Sequence, residues 1–221
     1  MVAFDLDGTI IQGLEYSWKL IWRILGYDDE ERREGMQRYL KRHSRADGLS
    51  YRDWCDWCCK KFQLRGLCRF HLEAIASELK LTHNFYPTIH ALKSSGCILA
   101  IISGGVDTLL YEMIPDADQL FDYVFINRLV FDKGELLRIE PTEGDFEGKR
   151  SVLERICGEA NFTLHDAVFV GDSLNDEHIV STDEIGLRIA YNAHSQRVKE
   201  LSDVVISDND FSLILPHILE M

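Results

Sequence analysis

Three short apolar runs stop abruptly at polar residues, and this constrains the fold more than any other feature. Val2-Ala3-Phe4 runs into Asp5, Ile98–Ile102 runs into Ser103-Gly104-Gly105, and Val168-Phe169-Val170 runs into Gly171-Asp172. Apolar runs of this length bounded by turn residues read as buried strands. The spacing predicts further strands at Tyr123–Ile126, Ile185–Ala190 and Val204–Ile206, and a β-hairpin over Leu129–Ile139 turning at Asp132-Lys133-Gly134. Helical patterns lie between them: Thr88–Ser94, a helix ending at Ile114, Lys149–Ala160, Asp176–Thr182 and a closing helix over Phe211–Leu219. Strands that alternate with helices predict an α/β fold with a doubly wound parallel sheet covered on both faces. Such sheets bind ligands outside the carboxyl ends of their strands, where Asp5, Ser103 and Asp172 fall.

One long stretch breaks the alternation. Trp18, Ile21, Trp22 and Leu25 form a helical stripe, and similar patterns pass through Tyr39 and Leu40, Trp54 to Phe62 and Leu72 to Leu79. Gly26, Gly48 and Gly66 mark the breaks. The prediction is a Rossmann-like core of residues 1–13 and 86–221, with an all-helical cap domain, residues 14–85, inserted after the first strand. Hinges are expected near Gln12-Gly13 and Tyr86-Pro87.

With 221 residues and 46% apolar content the chain can bury a substantial core. Its net charge of −13 disfavours nucleic acid and anionic membranes as partners. A small phosphorylated metabolite is compatible, because a bound cation inverts the local field. No apolar run reaches the roughly 20 residues of a membrane span. Met1 to Asp5 leads straight into a strand-like segment without a signal peptide, so a cytoplasmic location is expected. Oligomeric state is not readable. Cys55, Cys58, Cys68 and His71 have paired two-residue gaps, as zinc sites do, but they lie in a helical pattern with Trp54 and Trp57 among them. They read as structural cysteines, with zinc as the alternative.

Four elements carry chemistry. In Phe4-Asp5-Leu6-Asp7-Gly8-Thr9-Ile10 the alternating carboxylates leave the strand toward one pocket, where they need a cation or a proton between them. Ser103-Gly104-Gly105 reads as a strand-to-helix turn whose backbone N–H groups suit a phosphate. Lys149 starts a helix, where a cation opposes the helix dipole. Gly171-Asp172-Ser173-Leu174-Asn175-Asp176 places two acids and an amide at a strand end.

In this order the four elements resemble the motifs of the haloacid dehalogenase superfamily over essentially the whole chain, most closely its phosphoserine phosphatase-like branch. The Ser-Gly-Gly triplet, the stretch Ile126-Asn127-Arg128-Leu129 before the hairpin and the helical insert point to that branch. The resemblance implies a magnesium-dependent phosphatase. In it Asp5 is the nucleophile that forms an aspartyl-phosphate, and Asp7 is the acid and base. Asp5, the Asp7 carbonyl and Asp172 hold Mg2+, and Asp176 supports that shell. Ser103, Gly104 and Lys149 bind the phosphoryl group, and Asn175 reaches the substrate. It also implies a cap that closes over the site.

The resemblance breaks in the cap. The branch's cap Glu aligns with Leu14, beside Glu15, and its carboxylate-binding Arg aligns near Cys58. Its Phe after Ser-Gly-Gly is Val106 here. Arg52 or Arg45 are the shifted candidates. Tyr16, Trp18, Trp22, Tyr51, Trp54 and Trp57 enrich the cap in aromatics. Most read as cap core, and one or two that line the pocket would favour a bulkier or cationic leaving group. A phosphotransferase using the same intermediate stays open as an alternative, as does a catalytically silent scaffold. A dehalogenase does not need the acid Asp7, and a response-regulator receiver lacks the helical insert.

Overall fold

The computed structural model describes residues 1–41 and 50–220. Its centre is a seven-stranded sheet in the order β4-β3-β2-β1-β5-β6-β7. The strands are β1 (Val2–Phe4), β2 (Leu99–Val106), β3 (Tyr123–Asp132), β4 (Glu135–Glu140), β5 (Val168–Gly171), β6 (Leu187–Tyr191) and β7 (Val204–Ile206). All pairings are parallel except β3 with β4. β1 is central, and Phe4 stands level with Ile101 on one side and Val170 on the other. The order reverses there, so the residues just beyond Phe4 open into the crevice where such sheets bind ligands.

Alternation along the strands explains why the sheet is covered twice. Val2 and Phe4 join one apolar cluster with Val168 and Val170, while Ala3 joins another with Phe169. Phe4 packs edge-on to Phe121 and tilted against Phe211, with centroids 6.3 and 5.6 Å apart. Burying each such ring contributes about 2–3 kcal/mol.

The insert is helical as expected: α1 (Ser17–Ile24), α2 (Asp29–Lys41), α3 (Tyr51–Leu64) and α4 (Arg69–Glu78). Gly26 and Gly66, at φ 69° and 68°, end α1 and α3 in the left-handed region that glycine alone enters freely. Gly48 and Arg45 lie outside the described residues. The cap cluster of Trp18, Trp22, Trp54, Cys55, Cys58 and Phe62 also takes in Leu129, Leu136 and Ile139 of the hairpin. Gln63 Nε2 donates to the Leu136 and Leu137 carbonyls at 3.2 and 2.7 Å. The insert therefore shares its apolar core with β3 and β4.

The remaining helices are α5 (Phe85–Ser94), α6 (Asp107–Met113), α7 (Ala117–Leu120), α8 (Gly148–Glu159), α9 (Glu177–Val180), α10 (Gln196–Leu201) and α11 (Leu215–Leu219). Three expectations change. Tyr86-Pro87 is not a connector: both residues, and the expected boundary at 85/86, fall in the first turn of α5. Proline is tolerated there because first-turn N–H groups have no helical acceptor. The two connectors to the insert are instead laced together. Gln12 N–H donates to the Lys80 carbonyl at 2.8 Å, and Thr82 N–H to that of Ile10 at 2.9 Å. Gly13, at φ 65°, stands beside this contact.

Second, Ser103-Gly104-Gly105 is not a turn, because β2 continues to Val106 across a register shift between Ile102 and Val106. Third, β3 is one strand. Its first half pairs with β2 and its second half with β4, and the tight turn at Lys133-Gly134 has φ 48° and 87°. Two positive φ values match the right-handed twist of a two-residue hairpin. Among the described residues no helix is long and apolar enough to cross a membrane.

Candidate active site

Asp5 leaves β1 with its backbone N–H bonded to the Val170 carbonyl at 2.9 Å, which holds it against β5. Asp172 leaves β5 beside it. Lys149, in the first turn of α8, is fully buried and reaches between Asp5 and Asp176. Its Nζ lies 2.8 Å from Asp5 Oδ1 and 2.7 Å from Asp176 Oδ1. The other Asp176 oxygen accepts the backbone N–H groups of Asp172 and Ser173 at 2.9 and 3.0 Å. Asp176 is thus committed to fixing Lys149 and the Asp172 backbone, and Thr9 Oγ1 donates to Asp172 Oδ1 at 3.2 Å.

Asp7 faces the insert. Its Oδ2 accepts the Ser17 backbone N–H at 2.5 Å and, in a shorter contact, the Ser17 hydroxyl. Ser17 is the first residue of α1, whose own N-cap, Tyr16, supplies no side-chain bond. Asp7 therefore caps α1 from across the site, where a carboxylate is favoured by the helix dipole.

The electrostatics are unbalanced. Asp5, Asp7, Asp172 and Asp176 are buried, with Lys149 as the one buried cation among the described residues. Burial, with Asp176 and Asp7 nearby, pushes Asp5 up to about 7 against the opposing pull of Lys149. Burial raises Asp172 well above the usual range, reinforced by Asp176 and Asp5, and raises Asp7 despite the bonds from Ser17. Burial alone would lower the Lys149 ammonium, but Asp176 and Asp5 more than reverse this.

A divalent cation fits this imbalance. Carboxylate oxygens of Asp5, Asp172 and Asp176 lie within 4.8 Å of one another, the one such acidic or sulfur/imidazole group among the described residues. Asp172 Oδ2 and Asp7 Oδ1 are buried without a hydrogen-bond partner. Gly8, at φ 83°, leaves open the space beside Asp172 that a Cβ would fill. Hard oxygen donors of this kind suit magnesium or a similar ion. Cys55 and Cys58 instead pack in the cap core, and Cys68 Sγ lies 3.0 Å from His71 Nδ1 at the start of α4. These residues form structural contacts.

A cavity of about 380 Å³ opens from this cluster toward the insert. Asp5, Asp7, Ser103, Gly104, Gly105 and Asn175 line its inner end. Ser103 is buried in β2 and its Oγ accepts the Gly105 N–H at 3.1 Å. Asn127 Nδ2 holds the Gly104 and Gly105 carbonyls at 2.8 and 2.9 Å. The glycines matter sterically, since a Cβ on Gly104 would overlap Asp145 and one on Gly105 would come 3.1 Å from Asp7 Oδ1. All eight expected residues, Asp5, Asp7, Ser103, Gly104, Lys149, Asp172, Asn175 and Asp176, converge here. Lys149, Asp172 and Asp176 stand behind the cavity rather than in its lining.

Sequence reasoning missed Ser17, Thr9, Tyr39 and Asp145. Tyr39 and Asp145 lacked any local signal. Thr9 and Ser17 are ordinary turn and helix-start residues until the fold brings carboxylates to them.

A haloacid dehalogenase-like hydrolase family model matches residues 1–177. The chain belongs to this family. Within it the hydrolase falls in the phosphoserine phosphatase-like branch and is a phosphatase by class. It is 32% identical to a phosphoserine phosphatase of Methanocaldococcus jannaschii, over 99% of this chain and 97% of that one. A phosphoserine phosphatase solved in apo form superposes with a TM-score of 0.73 at 26% identity, covering 98% of both chains. A phosphoserine phosphatase solved as an analogue of the phospho-aspartyl intermediate gives 0.72 at 27% identity, covering 98% of this chain and 97% of that one. Leu14 is buried in the core cluster and Cys58 in the cap core. Arg52 is exposed and outside the cavity lining, where the one arginine among the described residues is Arg32.

Proposed function

We propose that the hydrolase cleaves a small phosphomonoester through an aspartyl-phosphate on Asp5, with Mg2+ as its cofactor. The observation that carries this is Asp5 itself. It is buried at the inner end of the cavity, oriented by Lys149 and surrounded by an excess of carboxylates that a phosphate-bound cation would balance. One oxygen of Asp5 attacks phosphorus, and the bond from phosphorus to the leaving oxygen breaks. Asp7, whose Oδ1 is buried and unbonded, gives its proton to that oxygen. In the second step Asp7 takes a proton from the attacking water, and phosphate leaves as Asp5 is regenerated. Ser103 and the Gly104 N–H hold phosphoryl oxygens, Lys149 neutralises charge shared with Asp5, and Asn175 touches the substrate. When bound by Asp5, Asp172 and the Asp7 carbonyl, magnesium would supply positive charge to the phosphoryl oxygens, with Asp176 supporting that shell. The segment 14–85 serves as the cap that excludes water.

The reading is supported by relatives named for phosphoserine hydrolysis and by the neighbour described as a phospho-aspartyl analogue. Phosphate release from a panel of phosphorylated metabolites tests it, with magnesium, with EDTA and with added alcohol acceptors. Release that requires magnesium and disappears in Asp5→Asn is the expected result. Release that survives Asp5→Asn would overturn the nucleophile, and transfer to the alcohol would reassign the enzyme as a phosphotransferase.

A further inference from the structure

The two carboxyl oxygens of Asp7 have different surroundings, and Ser17 makes the difference. Both donors of Ser17 point at Oδ2: the backbone N–H at 2.5 Å and the side-chain hydroxyl in a shorter contact. Oδ1 is buried without a hydrogen-bond partner. Ser17 itself is fully buried at the start of α1. The next residue fixes that turn by a separate contact. Trp18 Nε1 donates to the Gly104 carbonyl at 2.8 Å, so α1 is seated on β2 independently of Asp7.

The free oxygen stands at the inner end of the cavity. A Cβ on Gly105 would come 3.1 Å from Asp7 Oδ1, 3.1 Å from Ser17 Oγ and 3.2 Å from Ser103 Oγ. These oxygens therefore converge over the bare face of Gly105. A carboxyl oxygen that accepts two hydrogen bonds has both its lone pairs engaged. The Ser17 backbone N–H can only donate, so a proton on Oδ2 would displace it and leave a buried donor unsatisfied, which is costly.

We infer that Ser17 is a positioning residue for the acid: it occupies Asp7 Oδ2 and thereby assigns the transferred proton to Oδ1. The proposal rests on the hydrolase reading above. In the first step the electron pair of the breaking phosphorus–oxygen bond goes to the leaving oxygen, which takes the proton from Oδ1. In the second step Oδ1 takes a proton from water as the water oxygen bonds to phosphorus and the bond to Asp5 breaks. A side chain of the insert thus orients the acid of the core.

The test is a leaving-group series, ethyl, phenyl and p-nitrophenyl phosphate, read as kcat/KM with magnesium. The proteins are the natural chain, Asp5→Asn, Ser17→Ala and Ser17→Thr. A basic alkoxide needs a proton as it leaves, and p-nitrophenolate hardly needs one. Ser17→Ala removes the hydroxyl and keeps the N–H. It is expected to lower kcat/KM for ethyl phosphate by about tenfold to a hundredfold, the worth of a hydrogen bond to a charged group. The loss should be smaller for phenyl phosphate and smallest for p-nitrophenyl phosphate. Ser17→Thr, which keeps the hydroxyl, should recover most of the loss. An equal loss for all three esters marks a merely structural role and overturns the proposal. So does no loss, or a Ser17→Thr protein of natural melting temperature with the Ser17→Ala profile. Each of these leaves the hydrolase reading standing. No turnover of any ester by the natural chain, or turnover that survives Asp5→Asn, overturns both.

Discussion

The hydroxyl of Tyr39, on helix α2 of the insert, lies 3.1 Å from Asp145 Oδ2, in the loop ahead of α8. The same hydroxyl reaches Asn175 Oδ1 at 2.9 Å. One side chain of the insert therefore touches two loops of the core across the cavity. Its ring packs edge-on against Trp54 with centroids 5.1 Å apart, so the hydroxyl can be removed without removing the packing. Tyr39→Phe is expected to leave the fold intact, at a cost of about 1 kcal/mol. Proteolysis of the connectors should become faster and kcat/KM should fall several-fold. Unchanged kinetics in both assays would show that the bridge does not hold the insert closed.

Lys149 balances Asp5 and Asp176 in a fully buried setting. Breaking a buried pair by removing one partner strands the other charge and costs about 3–5 kcal/mol. Lys149→Met should lower stability by that order in urea denaturation, together with loss of activity. Asp176→Asn should also destabilise, because its two oxygens serve Lys149 and two backbone N–H groups. A Lys149→Met protein as stable as the natural chain would contradict the charge assignment.

Gly8 combines φ 83° with direct apposition to the Asp172 carboxylate. Gly8→Ala must both enter a strained backbone region and displace Asp172. Strain of this kind costs about 1–3 kcal/mol. The variant should melt at lower temperature and require far more magnesium for half-maximal activity. Normal metal dependence would mean that Asp172 is not held as a ligand by this turn.

Arg188 on β6 binds Asp203 in a fork, with Nε 3.0 Å from Oδ2 and Nη2 2.7 Å from Oδ1. The guanidinium bonds hold the Asp203 carboxyl below the usual range. A lowered folded-state value stabilises the fold above the unfolded value of about 3.9 and is lost as pH falls through the folded value. Arg188→Ala should therefore lose most against the natural chain near neutral pH, and the gap should narrow as pH falls from about 5 toward 3. Urea denaturation across that range measures the gap, and a gap that widens in acid would reverse the sign.

Much of the site was legible because strand ends announce themselves. Asp5 and Asp172 follow short apolar runs, and the parallel sheet that those runs dictate must bring their ends together. Lys149 stood out as a cation at an unfavourable helix position, and its burial between two aspartates accounts for it. The helical insert was legible from period, since Trp18, Ile21 and Trp22 face one core. The continuation of β2 through Gly104 and Gly105 was not. That stretch is strand only because Val106 pairs with Asn127 on β3, a contact local propensity does not contain. Pro87 misled for a related reason: a helix start, where its missing N–H costs nothing, reads locally like a linker.

By itself, then, the sequence determined the layered α/β architecture, the place of the insert and the acids that meet at the strand ends. Periodicity and turn chemistry are local, and they act on every copy of such a pattern alike. Only the tertiary structure decided that Ser17 receives Asp7, that Tyr39 meets Asp145 across a separation of 106 residues, and that tryptophans wall the cavity. Those relationships come from packing the insert over the sheet, where the partners of a side chain depend on distant segments rather than on its neighbours in the chain.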